Sequence, residues 1–204
     1  MKVIGITGGV GAGKSELLSY LERASKSKVV RADEVGHLVI QPGKVCYMRL
    51  LSLLNKNILN PDGTINRKKM AEKVFPNSGL LQSVNQIIHP AVKEYLLDDI
   101  AFEKKSGVFD YYFLESALLI EDGYQKICDE LWYIYADEKV RRERLKAARD
   151  YTDQRIDAVM RSQQNDVMFR RYCAHVIDNS GELKDSYRQI DALLREDRAG
   201  KTCQ

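Results

Sequence analysis

The chain has 204 residues, 44% hydrophobic and 30% charged, with a formal net charge of +3. That length suits one substantial core and a smaller appendage, and no run of about 18 apolar residues predicts a membrane span. The charge is too mild to argue for nucleic acid. Cys46, Cys128, Cys173 and Cys203 show neither zinc nor disulfide-scaffold spacing, which, with no signal-peptide pattern, fits a reducing cytoplasm.

In chain order, Val3, Ile4 and Ile6 predict a short buried strand. Five glycines follow within nine residues, from Gly5 to Gly13. From Glu16 onward, Leu17, Leu18 and Leu21 recur at helical spacing. Gly8, four residues, then Gly13, Lys14 and Ser15 form the nucleoside-triphosphate loop string, set between strand and helix as that motif requires. Side-chain-free backbone at Gly8, Gly9, Val10, Gly11, Ala12 and Gly13 lets successive N–H groups wrap a phosphate chain, and the helix start at Lys14, Ser15 and Glu16 adds unpaired donors. Lys14 can reach the β- and γ-phosphates and the Ser15 hydroxyl can hold Mg²⁺.

Val29–Val30 predict a second strand, closed by Asp33. A carboxylate there can take a proton from an attacking hydroxyl or help place Mg²⁺, or it can simply cap a helix. Up to Lys105 the chain reads as helices broken by turn strings at 41–43, 60–63 and 76–79. A long helix is expected after His89, with Pro90 in its first turn. Strands are expected at 108–114, 131–135 and 176–177, and helices at 138–149, 153–172 and 182–194. This order is α/β: a phosphate-loop core with a mostly parallel sheet flanked by helices, a helical acceptor-binding insert and a helical lid. The expected division is core at 1–36, 105–138 and 166–204, insert at 37–104 and lid at 139–165.

Glu115 ends the third strand and can orient Mg²⁺ through water, bind a substrate polar group, or be a solvated terminus; Glu121 is a weaker acid candidate. Lys139, Arg141, Arg142, Arg144, Lys146, Arg149 and Arg155 crowd one segment. Arg141 and Arg144 can share a helical face, with Arg149 one residue round from its continuation. Such a segment is either a lid bringing cations over a transferring phosphoryl group or a solvated helix. His89 has no partner at metal spacing and is a candidate for substrate contact or packing. Gln163 and Gln164 could face the lid or the insert. Asn179, after the last strand, can reach a nucleotide base or serve as a turn residue. A small GTPase would carry an Asn/Thr-Lys-x-Asp string, which is lacking; acceptor pocket, base and lid candidates together fit a small-molecule kinase.

Several strings make the resemblance specific: GITGGVGAGKSE, VVRADEVGHLV, ILNPDGTINRKKMAEKVF, VNQIIHPAV, LESALLIE and HVIDNSG. With these the chain, from residue 1 to about 195, resembles the dephospho-coenzyme A kinase family. The resemblance implies ATP-dependent phosphorylation of a ribose 3′-hydroxyl, with ATP and Mg²⁺ as cofactors and dephospho-coenzyme A as partner substrate. It puts Asp33 in the general-base position, Thr7 and His89 on the substrate side, Arg144 at the usual lid arginine and Asn179 near the adenine. Departures are Glu115 for the usual Asp, Ala117 for Pro, Arg141 for Gln, Ala148 for Arg and His175 for Asp. The alternatives are a kinase of another nucleotide-like alcohol and a non-catalytic ATP-binding regulatory protein.

Overall fold

The computed structural model describes residues 1–116, 118–149 and 151–202. Strand β1 (Lys2–Thr7) runs into helix α1 (Lys14–Ala24), followed by β2 (Ser27–Arg31), α2 (Ala32–Val39), α3 (Val45–Leu54), α4 (Arg67–Val74) and α5 (Ser78–Ser106). Then come β3 (Tyr111–Glu115), β4 (Glu130–Tyr135), α6 (Glu138–Arg149), α7 (Asp153–Arg161), α8 (Asp166–Tyr172), β5 (His175–Asp178) and α9 (Leu183–Thr202). The chain divides into two compact units, Met1–Val30 with Glu103–Gln204, and Arg31–Phe102.

The sheet is five-stranded and parallel, in the order β2-β3-β1-β4-β5. Ile4 lies opposite Phe113 on one side, and Ile6 opposite Trp132 on the other. β1 is buried from Val3 to Thr7 because helices cover both faces of such a sheet. On one face, Leu17, Leu18 and Leu21 of α1 and Ile190 and Leu194 of α9 join Ile4, Ile6, Phe113, Trp132 and Ile134 in the core. The connections out of β1 lead to β2 and β3 on one side, whereas β4 and β5 lie on the other. A parallel sheet offers its ligand crevice at that switch point, beyond the carboxyl ends of the strands. The glycine-rich loop leaves β1 there.

The Arg31–Phe102 unit is helical. Its NPDG turn closes a short antiparallel bridge between Leu59 and Ile65. Thr64 donates to Asp62 from its N–H at 2.9 Å and its hydroxyl at 2.6 Å, and Asn66 then caps α4 by accepting from the Lys69 N–H. Both are local side-chain bonds that Asn and Asp make readily.

Four sequence expectations need correcting. Helix α5 runs unbroken for 29 residues with Pro90 inside it, so His89 lies mid-helix and not at a helix start. The lost Pro90 N–H costs one bond to the Gln86 carbonyl, but Val84, Val92, Leu96 and Ile100 keep one face buried throughout. The Cys46 thiol adds a donor to the Ile87 carbonyl beside the gap. The expected helix 153–172 is two helices, because Asn165 caps α8 by accepting from Met168 N–H. Strand β3 begins at Tyr111, leaving Val108 51% exposed after Gly107. Asp33 does not close β2; it is the second residue of α2, exposed, two residues past the strand. Among the described residues, no helix is long and apolar enough to cross a membrane.

Candidate active site

Helix α1 has Gly13 as its N-cap, with no side-chain cap bond. The first turn of α1 therefore presents the Ser15 and Glu16 donors toward an anion at a positively polarised helix end. Gly13 has φ +86, and a Cβ there would strike the Asn179 amide nitrogen, so the position demands glycine on two counts. The Lys14 ammonium donates to the Gly8 carbonyl at 2.8 Å and the Gly9 carbonyl at 3.4 Å. It also lies 3.9 Å from Glu115 Oε1, both side chains 14% exposed. Glu115 reaches it because β3 runs beside β1, with Ile6 opposite Glu115. Thr7 ends β1 fully buried, its hydroxyl oxygen without a hydrogen-bond partner. Ser15 and Glu16 are exposed on the first turn of α1. Glu16 accepts from the Tyr187 hydroxyl at 2.9 Å, and the Tyr187 ring stacks on Tyr20 with centroids 3.9 Å apart.

Three side chains from distant parts of the chain hold this loop. Asn179, 1% exposed, donates from Nδ2 to the Ala12 carbonyl at 2.7 Å and accepts from the Ser186 hydroxyl at 2.9 Å. Its amide grips the loop from behind. From α6, the Arg144 guanidinium donates to the same carbonyl at 3.5 Å. Gln163 accepts from the Val10 N–H at 2.9 Å. Arg141 lies along Gly9 and Gly11, and its buried Nε has no partner.

The basic segment thus divides by function. Arg141 and Arg144 face the loop, three residues apart on one side of α6. Arg142 is bound within α6 to Glu138 at 2.8 Å, and its pair with Asp157 at 2.5 Å and that of Lys146 with Asp153 at 2.6 Å brace α6 against α7. Arg155 covers the Tyr151 ring at 4.0 Å. The Arg149 side chain and Ala117 lie outside the described residues. A cleft of about 640 Å³ opens beside the loop's partners, lined by Glu138, Arg141, Asp157, Arg161, Gln163 and Gln164 among others.

Asp33 and His89 belong to the Arg31–Phe102 unit. His89 lines a cleft of about 460 Å³ along α5 with Gln82, Asn85 and Gln86. Glu121 is exposed in the turn after β3. The roles of Gln163 and Ser186 were not legible beforehand. Gln163 carries no motif of its own, and nothing distinguishes Ser186 from any serine on an amphipathic helix.

Lys14, Arg141 and Arg144 gathered at one glycine-rich loop, with Glu115 as the facing carboxylate, suit a triphosphate. With the parallel sheet around β1, these features define a phosphate-loop phosphotransferase. Residues 2–185 match the dephospho-CoA kinase family, and the chain belongs to it. The dephospho-CoA kinase of Dehalococcoides mccartyi is 31% identical over 196 residues, covering 96% of this chain and 98% of that protein. That of Carboxydothermus hydrogenoformans is 31% identical over 196 residues, covering 96% and 94%. The solved dephospho-CoA kinase from Campylobacter jejuni superimposes with a TM-score of 0.74 at 21% identity, covering 98% of this chain and all of that one, and shares the fold.

Proposed function

We propose that this chain transfers the γ-phosphoryl group of ATP to the ribose 3′-hydroxyl of dephospho-coenzyme A, giving coenzyme A and ADP. The observation carrying this is the phosphate loop, braced at Ala12 by Asn179 and Arg144, in a chain belonging to that kinase family.

The backbone donors at the start of α1 bind the phosphate chain, and Lys14 turns its ammonium from the Gly8 and Gly9 carbonyls to the β- and γ-phosphates. Glu115, beside Lys14, keeps that ammonium aimed across the loop. Arg144 and Arg141, with Arg149 as a further lid candidate, spread positive charge over the transferring oxygens and exclude water. Asp33 accepts the proton of the 3′-hydroxyl. That oxygen forms a bond to the γ-phosphorus while the bond to the β–γ bridging oxygen breaks, and ADP carries the electron pair away. Transfer is direct, with no covalent enzyme intermediate. Thr7 and His89 serve the acceptor side, and Glu16 and Asn179 serve the nucleotide, Asn179 through the loop it holds. The Ser15 hydroxyl would hold Mg²⁺. Among the described residues no three acidic, His or Cys side chains form a metal cage, which fits an ion bound largely through substrate phosphates. Bound there, Mg²⁺ supplies neutralisation of charge on the β- and γ-oxygens.

The test is an ADP-release assay with ATP, Mg²⁺ and dephospho-coenzyme A, with coenzyme A detected by mass and with adenosine and nucleoside monophosphates run in parallel. Acceptor-dependent formation of coenzyme A is expected. Transfer only to another acceptor would overturn the substrate assignment, and ATP binding without any transfer would favour a regulatory protein.

A further inference from the structure

The transfer mechanism leaves Gln163 unused. It lies in the connection 162–165 between α7 and α8, which is pinned at both ends. Ser162 N–H donates to the Ala158 carbonyl at 3.2 Å, Gln163 N–H to the Met160 carbonyl at 3.3 Å, and Asn165 caps α8. From this fixed base, Gln163 Oε1 accepts the Val10 N–H across 153 residues of sequence. Val10 stands in the leading half of the loop, before the helical donors begin at Lys14, so α1 cannot order it.

A second observation places Gln163 beside the same turn of the loop. A Cβ on Gly9 would collide with Arg141 Nη1 and lie 3.5 Å from Gln163 Oε1. The bare backbone at Gly9 is what lets Arg141 approach, while Gln163 Oε1 sits at ordinary contact distance from the same position. A third is the opposite anchor, where Arg144 and Asn179 share the Ala12 carbonyl. The loop is thus held at Ala12 from one side and at Val10 from the other.

We propose that Gln163 is a positioning residue for the phosphate loop: its amide oxygen holds the Val10 N–H, fixing the leading turn in the form that receives a triphosphate. It also ties the α7–α8 connection to the loop, so the lid region and the nucleotide site move together. A neutral amide suits the place, because it accepts the N–H without setting a negative charge beside the triphosphate. The inference rests on the reading of residues 8–15 as a triphosphate site.

Gln163→Met keeps the side chain's length and shape and removes the acceptor. ATP·Mg²⁺ binding is measured by titration calorimetry, which needs no acceptor substrate, and steady-state kinetics and thermal unfolding are run alongside. Freeing one backbone residue to disorder before binding is expected to weaken ATP about tenfold. The KM for dephospho-coenzyme A should stay within twofold and Tm within about 2 °C. ATP binding within twofold of the parent overturns the role. So does tighter binding, which would mean that the oxygen competes with the triphosphate, and so does an equal loss in every property together with a large fall in Tm. A parent that binds ATP but does not phosphorylate dephospho-coenzyme A refutes the substrate reading and leaves the Gln163 result standing.

Discussion

Replacing Asn179 with alanine tests whether the loop is held from behind. The side chain is 1% exposed and makes two bonds, to the Ala12 carbonyl at 2.7 Å and from the Ser186 hydroxyl at 2.9 Å. Ser186 has one hydroxyl proton, shared with the Asp178 carbonyl at 2.9 Å, and gives it wholly to that carbonyl in the variant. Ala12 is left with the 3.5 Å contact from Arg144. One full hydrogen bond lost, leaving a poorly satisfied buried carbonyl, with a shared second one, comes to ~2–3 kcal/mol. For a chain of this size that lowers Tm by about 5–10 °C. A loosened loop also weakens every nucleoside triphosphate alike, by about tenfold. Thermal unfolding, with parallel ATP and GTP titrations, reads both effects. A Tm within 1 °C of the parent would refute the bracing argument. A loss confined to ATP, sparing GTP, would show that Asn179 reads the adenine instead.

Asp33→Asn should leave the ATP Kd within a few-fold and lower kcat about 10²–10⁴-fold, since the loss of a general base acts on turnover; near-normal turnover in steady-state assays removes Asp33 from that role. Lys14→Ala should depress kcat sharply through lost charge on the β- and γ-phosphates, and unchanged kinetics would contradict the loop assignment. Gly13→Ala places a Cβ at φ +86 against the Asn179 amide nitrogen; left-handed strain of about 1–2 kcal/mol and a displaced brace should weaken ATP by about 10²-fold in calorimetry, whereas parent-like affinity would show that the loop tolerates the change. Burial pushes the Cys128 and Cys173 thiols up to about 12, so thiolate is scarce at pH 8. Peptide mapping after brief iodoacetamide treatment should find both unmodified in the native protein and modified after denaturation; fast native labelling would contradict the burial.

Local signals carried most of the fold. Short β-branched and aromatic runs, glycine spacing and helical periodicity depend on neighbours a few residues away, so the strand–helix alternation and the phosphate loop could be read directly. The misreadings arose where packing overruled a local breaker or where a local cap was passed over. Pro90 marks a helix start in isolation, but the buried face from Val84 to Ile100 carries α5 through it. Conversely, 153–172 reads as one helix, and the Asn165 side-chain bond to Met168 N–H divides it.

The site divides in the same way. Gly8 to Ser15 could be recognised from sequence because eight consecutive residues carry the whole phosphate-loop motif. Nothing in the sequence could say that Asn179 and Arg144 would meet at the Ala12 carbonyl, or that Gln163 would hold Val10. Those contacts span more than 130 residues, and they exist because the parallel order β2-β3-β1-β4-β5 sets β4, from whose end α6 departs, beside β1 and the end of β5 one strand further on. The glycine-rich loop was determined by sequence; the residues that hold it in place were decided by the sheet that brings them within hydrogen-bond reach.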